Sequence, residues 1–264
     1  MGKIYAIVSC KGGVGKTTSA INLGAYMSLH KKSVCVVDLD PQHNLTRHCG
    51  IGQDELRESK TIYDLLQAAI EGDDEAIKAL LGVCIRKTST VDLIPATVKL
   101  ASIESAITAA LHREYLLQSV TTFLREKYDV ILIDCRPGLD MLAINALTAA
   151  DAAVIPVEAH ILSSDGLQQI DKTIKAVQRR LNPQLTIEGV IITKYQPRTN
   201  YCQSVRELVI RDFGPHVHIY KDTVNYTIKV AEAPAYGISL FEYQPSSTAA
   251  QAYASIAEEM MQHD

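Results

Sequence analysis

The chain has 264 residues, 47% of them hydrophobic, and a formal net charge of −4; this suits a globular protein that buries a large core and says nothing in favour of a nucleic-acid partner. No apolar run approaches the roughly 18 residues that span a bilayer, and the strand-like K-I-Y-A-I-V-S begins at residue 3. That leaves no room for a signal peptide, so a cytoplasmic protein is expected. Cys10, Cys35, Cys49, Cys84, Cys135 and Cys202 form no C-x-x-C pair, which removes the sequence basis for a zinc knuckle or redox dithiol and reads as buried thiols in a reducing compartment.

Short β-branched runs alternate with helical stretches, the pattern of a parallel sheet covered by helices. The first predicted strand, Ile4–Ser9, runs into C-K-G-G-V-G-K-T-T, with a helix predicted from Lys16. Strand, Gly-rich turn and helix come in the order a phosphate-binding loop requires. Gly12, Gly13 and Gly15 are expected to take positive φ, so that successive N–H groups, that of Val14 among them, point at phosphate oxygens. The positive end of the helix dipole adds to this. Lys16 would neutralise the β- and γ-phosphates of a nucleotide, the Thr17 hydroxyl would ligate Mg²⁺, and Thr18 would donate to the α-phosphate.

Cys10 stands where such loops usually have their first glycine, and Lys11 is a second lysine on one small turn. Two ammonium groups there repel unless both find anionic charge. Lys16 has its phosphate in cis. Lys11 sits too early to share it, so a second triphosphate is a natural partner; a solvated lysine is the alternative that spacing leaves open.

The second predicted strand, Ser33–Asp38, leads into D-L-D-P-Q. Asp38 and Asp40 fall on one side by strand alternation, at the carboxyl edge where open α/β sheets bind ligands. One carboxylate, Asp40, can position the water that attacks the γ-phosphate, and Asp38 can support the metal shell with Thr17. Strand-end aspartates also serve as helix caps. A helix is predicted near Thr61, a strand over Val91–Pro95 and a helix near Arg113, with the acidic residues 72–78 as a connection between helices. The run D-V-I-L-I-D-C-R-P-G places Asp134 at the end of the buried strand Asp129–Asp134, where a Mg²⁺-holding carboxylate belongs. The R-P-G-L-D that follows suits a switch segment sensing the γ-phosphate. Strands over Ala152–Val157 and Thr186–Thr193 and helices near Ser164, Asn200 and Ser246 complete the pattern. The expected fold is α/β: a three-layer, mostly parallel twisted sheet with helices on both faces, forming one domain over residues 1–264.

Charge is uneven along the chain. Residues 170–230 carry ten Lys/Arg against five Asp/Glu, whereas residues 231–264 carry no Lys/Arg and five acids. A polyanion surface is therefore expected in the third quarter.

The loop is of the form x-K-G-G-V-G-K-T, the deviant Walker A motif. Together with V-V-D-L-D-P-Q-H-N-L-T, D-L-I-P-A-T, K-Y-D-V-I-L-I-D-C-R-P-G, I-T-K-Y-Q-P-R-T-N and A-E-A-P-A-Y-G-I-S-L-F-E-Y, it resembles the ParA/MinD group of P-loop ATPases, most closely the short Soj-like ParA partition proteins. The resemblance implies a homodimer formed with ATP and Mg²⁺, in which Lys11 reaches the partner subunit's phosphates. It further implies non-specific binding of double-stranded DNA by that dimer, slow hydrolysis stimulated by a ParB-like or ribbon-helix-helix activator, and a nucleoid-associated location. By that resemblance Lys194, Arg198, Arg206, Arg211 and Lys229 are DNA-binding candidates, and Thr193 and Lys194 are candidates for the adenine side. Lys172, Lys175 and Arg179 share a helical face that reads as solvated.

Three features depart from the family pattern. Arg136 stands where proline is common, which leaves it to meet ATP or a partner carboxylate. Asn225-Tyr226 replace a usual Pro-Arg. No helix-turn-helix is expected ahead of the first strand. Three further readings compete: a membrane-associated MinD-like regulator, a metal-cluster ATPase, and a positioning ATPase for a protein cargo. The acidic last helix argues against a membrane anchor, and no second cysteine motif accompanies Cys135.

Overall fold

The computed structural model describes residues 1–160 and 163–263. In chain order it contains β1 (Lys3–Ile7), α1 (Lys16–Leu29), β2 (Val34–Leu39), α2 (Asn44–His48), α3 (Gln53–Leu56), α4 (Ile62–Glu71), α5 (Asp74–Cys84), β3 (Arg86–Lys87), β4 (Asp92–Ile94), α6 (Ile103–Ala109) and α7 (Leu116–Leu124). There follow β5 (Val130–Cys135), α8 (Met141–Ala149), β6 (Ala152–Glu158), α9 (Ser163–Arg180), β7 (Thr186–Thr193), α10 (Asn200–Phe213), α11 (Ile228–Glu232), α12 (Leu240–Tyr243) and α13 (Thr248–Gln262).

The strands form one sheet in the order β3-β4-β2-β5-β1-β6-β7, parallel except for the short edge strand β3. Each predicted strand is present, shifted by up to two residues at its ends; β3 carries no two-residue alternation to read. Strand β1 is central, between β5 and β6. Its Ile4 and Ala6 pack into the core on one face, and Tyr5 and Ile7 into the core on the other. Burial on both faces is what the continuous apolar runs encode. One layer of helices includes α1 and α13, the other α4, α7, α8 and α9. Helix α1 lies close on the sheet because Gly24 carries no Cβ: one built there would stand 3.1 Å from Leu132 and 3.3 Å from Val34 and Val36.

Helix ends follow local chemistry. Thr61 and Asp64 form a capping box at α4, Gly72 ends that helix in the left-handed region, and Asp73 caps α5; the connection expected over residues 72–78 is therefore confined to 72 and 73, and residues 74–78 already belong to α5. Helix α13 spends its apolar side inward through Ala249, Ala250, Tyr253, Ile256, Ala257 and Met260. Among the described residues no helix is long and apolar enough to cross a membrane.

Candidate functional site

The chain between β1 and α1 turns through Gly13 at φ +72° and Gly15 at φ +91°. Gly12 does not share this conformation, so two of the three loop glycines, not all three, supply positive φ. Gly15 is the N-cap of α1 and no side chain caps the helix, which leaves its first N–H groups for a ligand. Gly13, Gly15, Lys16, Thr17 and Thr18 line a cavity of about 490 Å³ at the carboxyl end of the strands. The Lys16 side chain is buried there, and its Nζ donates to the Lys11 carbonyl at 3.2 Å. Burial pulls this ammonium below its usual range, against the pull of Asp134. An anion in the cavity would raise it again.

The Lys11 Nζ lies 3.2 Å from Glu158 Oε2 at the end of β6.

Three carboxylates converge on the loop, and they are not equivalent. Register places Asp38 of β2 beside Asp134 of β5. Asp134 is buried; its Oδ2 accepts from the Thr17 hydroxyl at 2.6 Å, while Oδ1 has no partner. Burial first, then the neighbouring Asp38, push its pKa up to about 8. An orphaned buried carboxylate oxygen beside a threonine hydroxyl fits a divalent cation, which Mg²⁺ sites complete with phosphates and water. Asp40 lines the cavity, with Oδ1 accepting from Gln42 N at 2.8 Å.

Asp38 is different. Its Oδ2 accepts from the Thr46 amide at 2.8 Å and the Thr46 hydroxyl at 2.7 Å, its Oδ1 from the Asp40 amide at 3.2 Å, and it is fully buried. Asp38, expected in the metal shell, thus has both oxygens engaged within its own chain. It ties the loop after β2 to α2.

The far wall of the cavity comes from Thr193, Lys194 and residues 224–231, with Tyr253 of α13. Val224 N donates to Ile192 O at 2.8 Å and Tyr226 N to Tyr195 O at 2.9 Å, which fastens this segment alongside β7. The Thr193 hydroxyl donates to Val14 O at 2.7 Å and lies 3.0 Å from Val157 O. Thr193 thus braces the phosphate loop. Lys194, at φ +50°, has its Nζ 3.9 Å from where a Cβ on Gly13 would stand. That brings its ammonium beside the glycine loop. Tyr226 and Ile228, both lining the cavity and largely exposed, are the apolar surfaces available to a base; Asn225 lies beside them.

Among the basic candidates, Arg198 is exposed on the turn before α10. Arg206 donates to the Lys221 carbonyl at 3.4 Å, and Arg211 pairs with Asp212 at 2.8 Å. Lys229 pairs with Glu232 at 2.9 Å beneath the Tyr243 ring, so part of its charge is neutralised within the chain. Arg136 pairs with Glu104 of α6 and, at 3.1 Å, with Asp140, the N-cap of α8. Its carboxylate partners lie in its own subunit, and it does not line the cavity.

Sequence reasoning missed Asn22, Asn44, Pro137 and Tyr253. Asn44 and Pro137 line the cavity. Asn22 joins Thr18 O to the amide of Leu240 in α12. The Tyr253 hydroxyl lies 3.1 Å from Ser19 Oγ. Asn44, four residues after Asp40, carried a readable signal; Tyr253, 234 positions from the Ser19 it meets, carried none.

Comparison with known proteins agrees with this geometry. The family model described as an AAA domain matches residues 2–187. The sporulation initiation inhibitor protein Soj of Bacillus subtilis is 40% identical over 263 residues, covering 98% of each chain. The chromosome partitioning protein ParA of Caulobacter vibrioides is 35% identical over 264 residues, covering 99% of this chain and 95% of that protein. The crystal structure of cobyrinic acid a,c-diamide synthase from Mycobacterium smegmatis, with bound ADP and magnesium, superposes with a TM-score of 0.82 at 30% identity, covering 100% of this chain and 95% of that one.

Proposed function

Because the chain belongs to the ParA/Soj family of P-loop ATPases, we propose that it is an ATP-driven DNA-partition switch: a homodimer forms around ATP, binds double-stranded DNA without sequence preference, and is released by hydrolysis. The observation that carries this reading is the meeting of Lys16, Thr17 and the half-satisfied Asp134 at the uncapped N-terminus of α1 in one cavity.

In this mechanism the Gly12–Thr18 loop receives the triphosphate, and Lys16 exchanges the Lys11 carbonyl for β- and γ-phosphate oxygens. Thr17 and Asp134 would hold Mg²⁺, which would supply positive charge to screen the phosphates. Asp40, at the cavity wall, orients the water that attacks the γ-phosphorus; the β–γ bridging bond breaks to give ADP and phosphate. Lys194 adds a cation beside Gly13, and Tyr226 with Ile228 cover the base. Lys11 serves the other subunit's triphosphate, which makes dimerisation depend on ATP. Arg198, with Arg206, Arg211 and Lys229 contributing less, supplies phosphate contacts to DNA. A ParB-like or ribbon-helix-helix protein stimulates an otherwise slow hydrolysis, and residues 1–264 act as one ATPase unit on the nucleoid in the cytoplasm. The inward apolar side of α13 supports a switch without a membrane anchor at that helix.

The test is DNA retardation of the full chain with ATP and Mg²⁺, with ADP and Mg²⁺, and with no nucleotide. Retardation with ATP alone is expected; equal retardation with ADP overturns the switch.

A further inference from the structure

We propose that Glu158 is a positioning residue for Lys11: in the nucleotide-free protomer it keeps the Lys11 ammonium on its own subunit, and so sets how readily Lys11 is presented to a second copy's triphosphate. The second half of this statement rests on the ATP-dimer reading above.

Lys11 is tied at both ends. Its carbonyl accepts from Lys16 Nζ at 3.2 Å, and its own Nζ lies 3.2 Å from Glu158 Oε2. Glu158 is held in place by the sheet: it is the last residue of β6 and pairs in register with Thr193 of β7. The Thr193 hydroxyl in turn holds the Val14 carbonyl of the same loop. The carboxylate is therefore fixed to the loop whose lysine it engages, across 147 positions of sequence.

The two ties differ in what releases them. A triphosphate in the cavity is a stronger partner for Lys16 than a neutral carbonyl, so nucleotide binding frees the backbone end of Lys11. The side-chain end remains with Glu158. With 47% of the lysine side chain and 28% of the glutamate side chain exposed, this is a solvent-screened pair of modest strength. Such a hold can yield to a triphosphate brought by a second subunit, yet it biases the lysine inward while none is present. Nucleotide in cis and a partner in trans are then both required to move Lys11 fully, which links loop occupancy to dimer formation.

The test uses the full chain and the isosteric Glu158→Gln variant. Each is labelled without nucleotide by a lysine-acylating reagent at low salt, and modification is read residue by residue by mass spectrometry. Lys11 should label about two- to five-fold faster in the variant, the range expected of an exposed ion pair, while exposed Lys172 labels equally in both. Salt of about 0.5 M should accelerate Lys11 in the wild type and leave the variant unchanged, because screening weakens exposed pairs. Equal labelling of Lys11 in the two proteins overturns the hold, whatever the oligomeric state. Sedimentation with ATP and Mg²⁺ reads the consequence: Glu158→Gln should dimerise at about two- to five-fold lower protein concentration. A variant with faster Lys11 labelling and an unchanged dimer midpoint overturns the role in presentation. Wild type that stays monomeric with ATP defeats the dimer reading instead, and the labelling still decides whether Glu158 holds Lys11.

Discussion

Asp134 and Asp38 illustrate how two neighbouring carboxylates with one shared cause acquire different roles. Burial is the largest influence on both, raising Asp134 to about 8 and Asp38 to about 6. A carboxyl with a raised folded-state pKa binds its proton more tightly in the folded protein. Its contribution to stability is full below its unfolded pKa, near 4, and is lost as pH rises through the folded value. The nucleotide-free protein should therefore lose thermal stability between about pH 4 and pH 8. Asp134→Asn should flatten the upper part of that decline, from about pH 6 to 8, in a melting series; a parallel slope in the variant would count against the assignment. Lys16→Ala should weaken ATP binding by about ten-fold or more in a titration, since it removes a charge-assisted phosphate contact. Lys11→Ala should retain ATP binding but lose partner-stimulated hydrolysis, and Asp40→Ala should bind ATP yet remain trapped on DNA. The lysines and aspartates were legible from sequence because motif spacing places them at strand ends. The engagement of Asp38 was not, because alternation along β2 says nothing of Thr46 eight residues later.

Elements carry the next set of effects. Thr46 joins three segments: its hydroxyl donates to Asp38 Oδ2 and accepts from the Ala96 amide at 3.0 Å, in a fully buried position. Thr46→Val keeps the shape and removes both bonds, leaving a buried carboxylate short of a donor. A loss of about 2–3 kcal/mol is expected in denaturant unfolding, with the change confined to the midpoint and not the slope. Such a loss would place Asp38 in the fold; an unchanged midpoint with weakened Mg²⁺-ATP binding would put it in the metal shell. The elements were readable in proportion to their regularity. Long apolar strands and the helices begun by Lys16, Thr61 and Asn200 stand where period and capping chemistry put them. Helices α2, α3, α11 and α12 are four or five residues long, too short to hold a 3.6-residue repeat; α11 and α12 instead start at the side-chain N-caps Thr227 and Ser239.

For the whole molecule, strand order places the chemistry. With β1 between β5 and β6, the loop after β1 meets Asp134 from one side and Glu158 with Thr193 from the other. Binding of DNA by phosphate contacts should fall steeply with salt, and Arg198→Ala should weaken it on all sequences while reducing the salt slope by about one. Lys229→Ala, already paired with Glu232, should change that slope less; the reverse ranking in retardation assays across a salt series would move the DNA face toward α11. The sequence by itself determined the kind of fold, the phosphate loop and the presence of a second lysine, because apolar period, glycine conformation and charge are local properties written over a few residues. Only the tertiary structure decided that Thr193 braces the loop, that Asp38 belongs to Thr46, and that Lys11 rests on Glu158. Those partners are set by which strands lie side by side, and hydrogen bonds reaching across 147 or 179 positions leave no trace in local spacing.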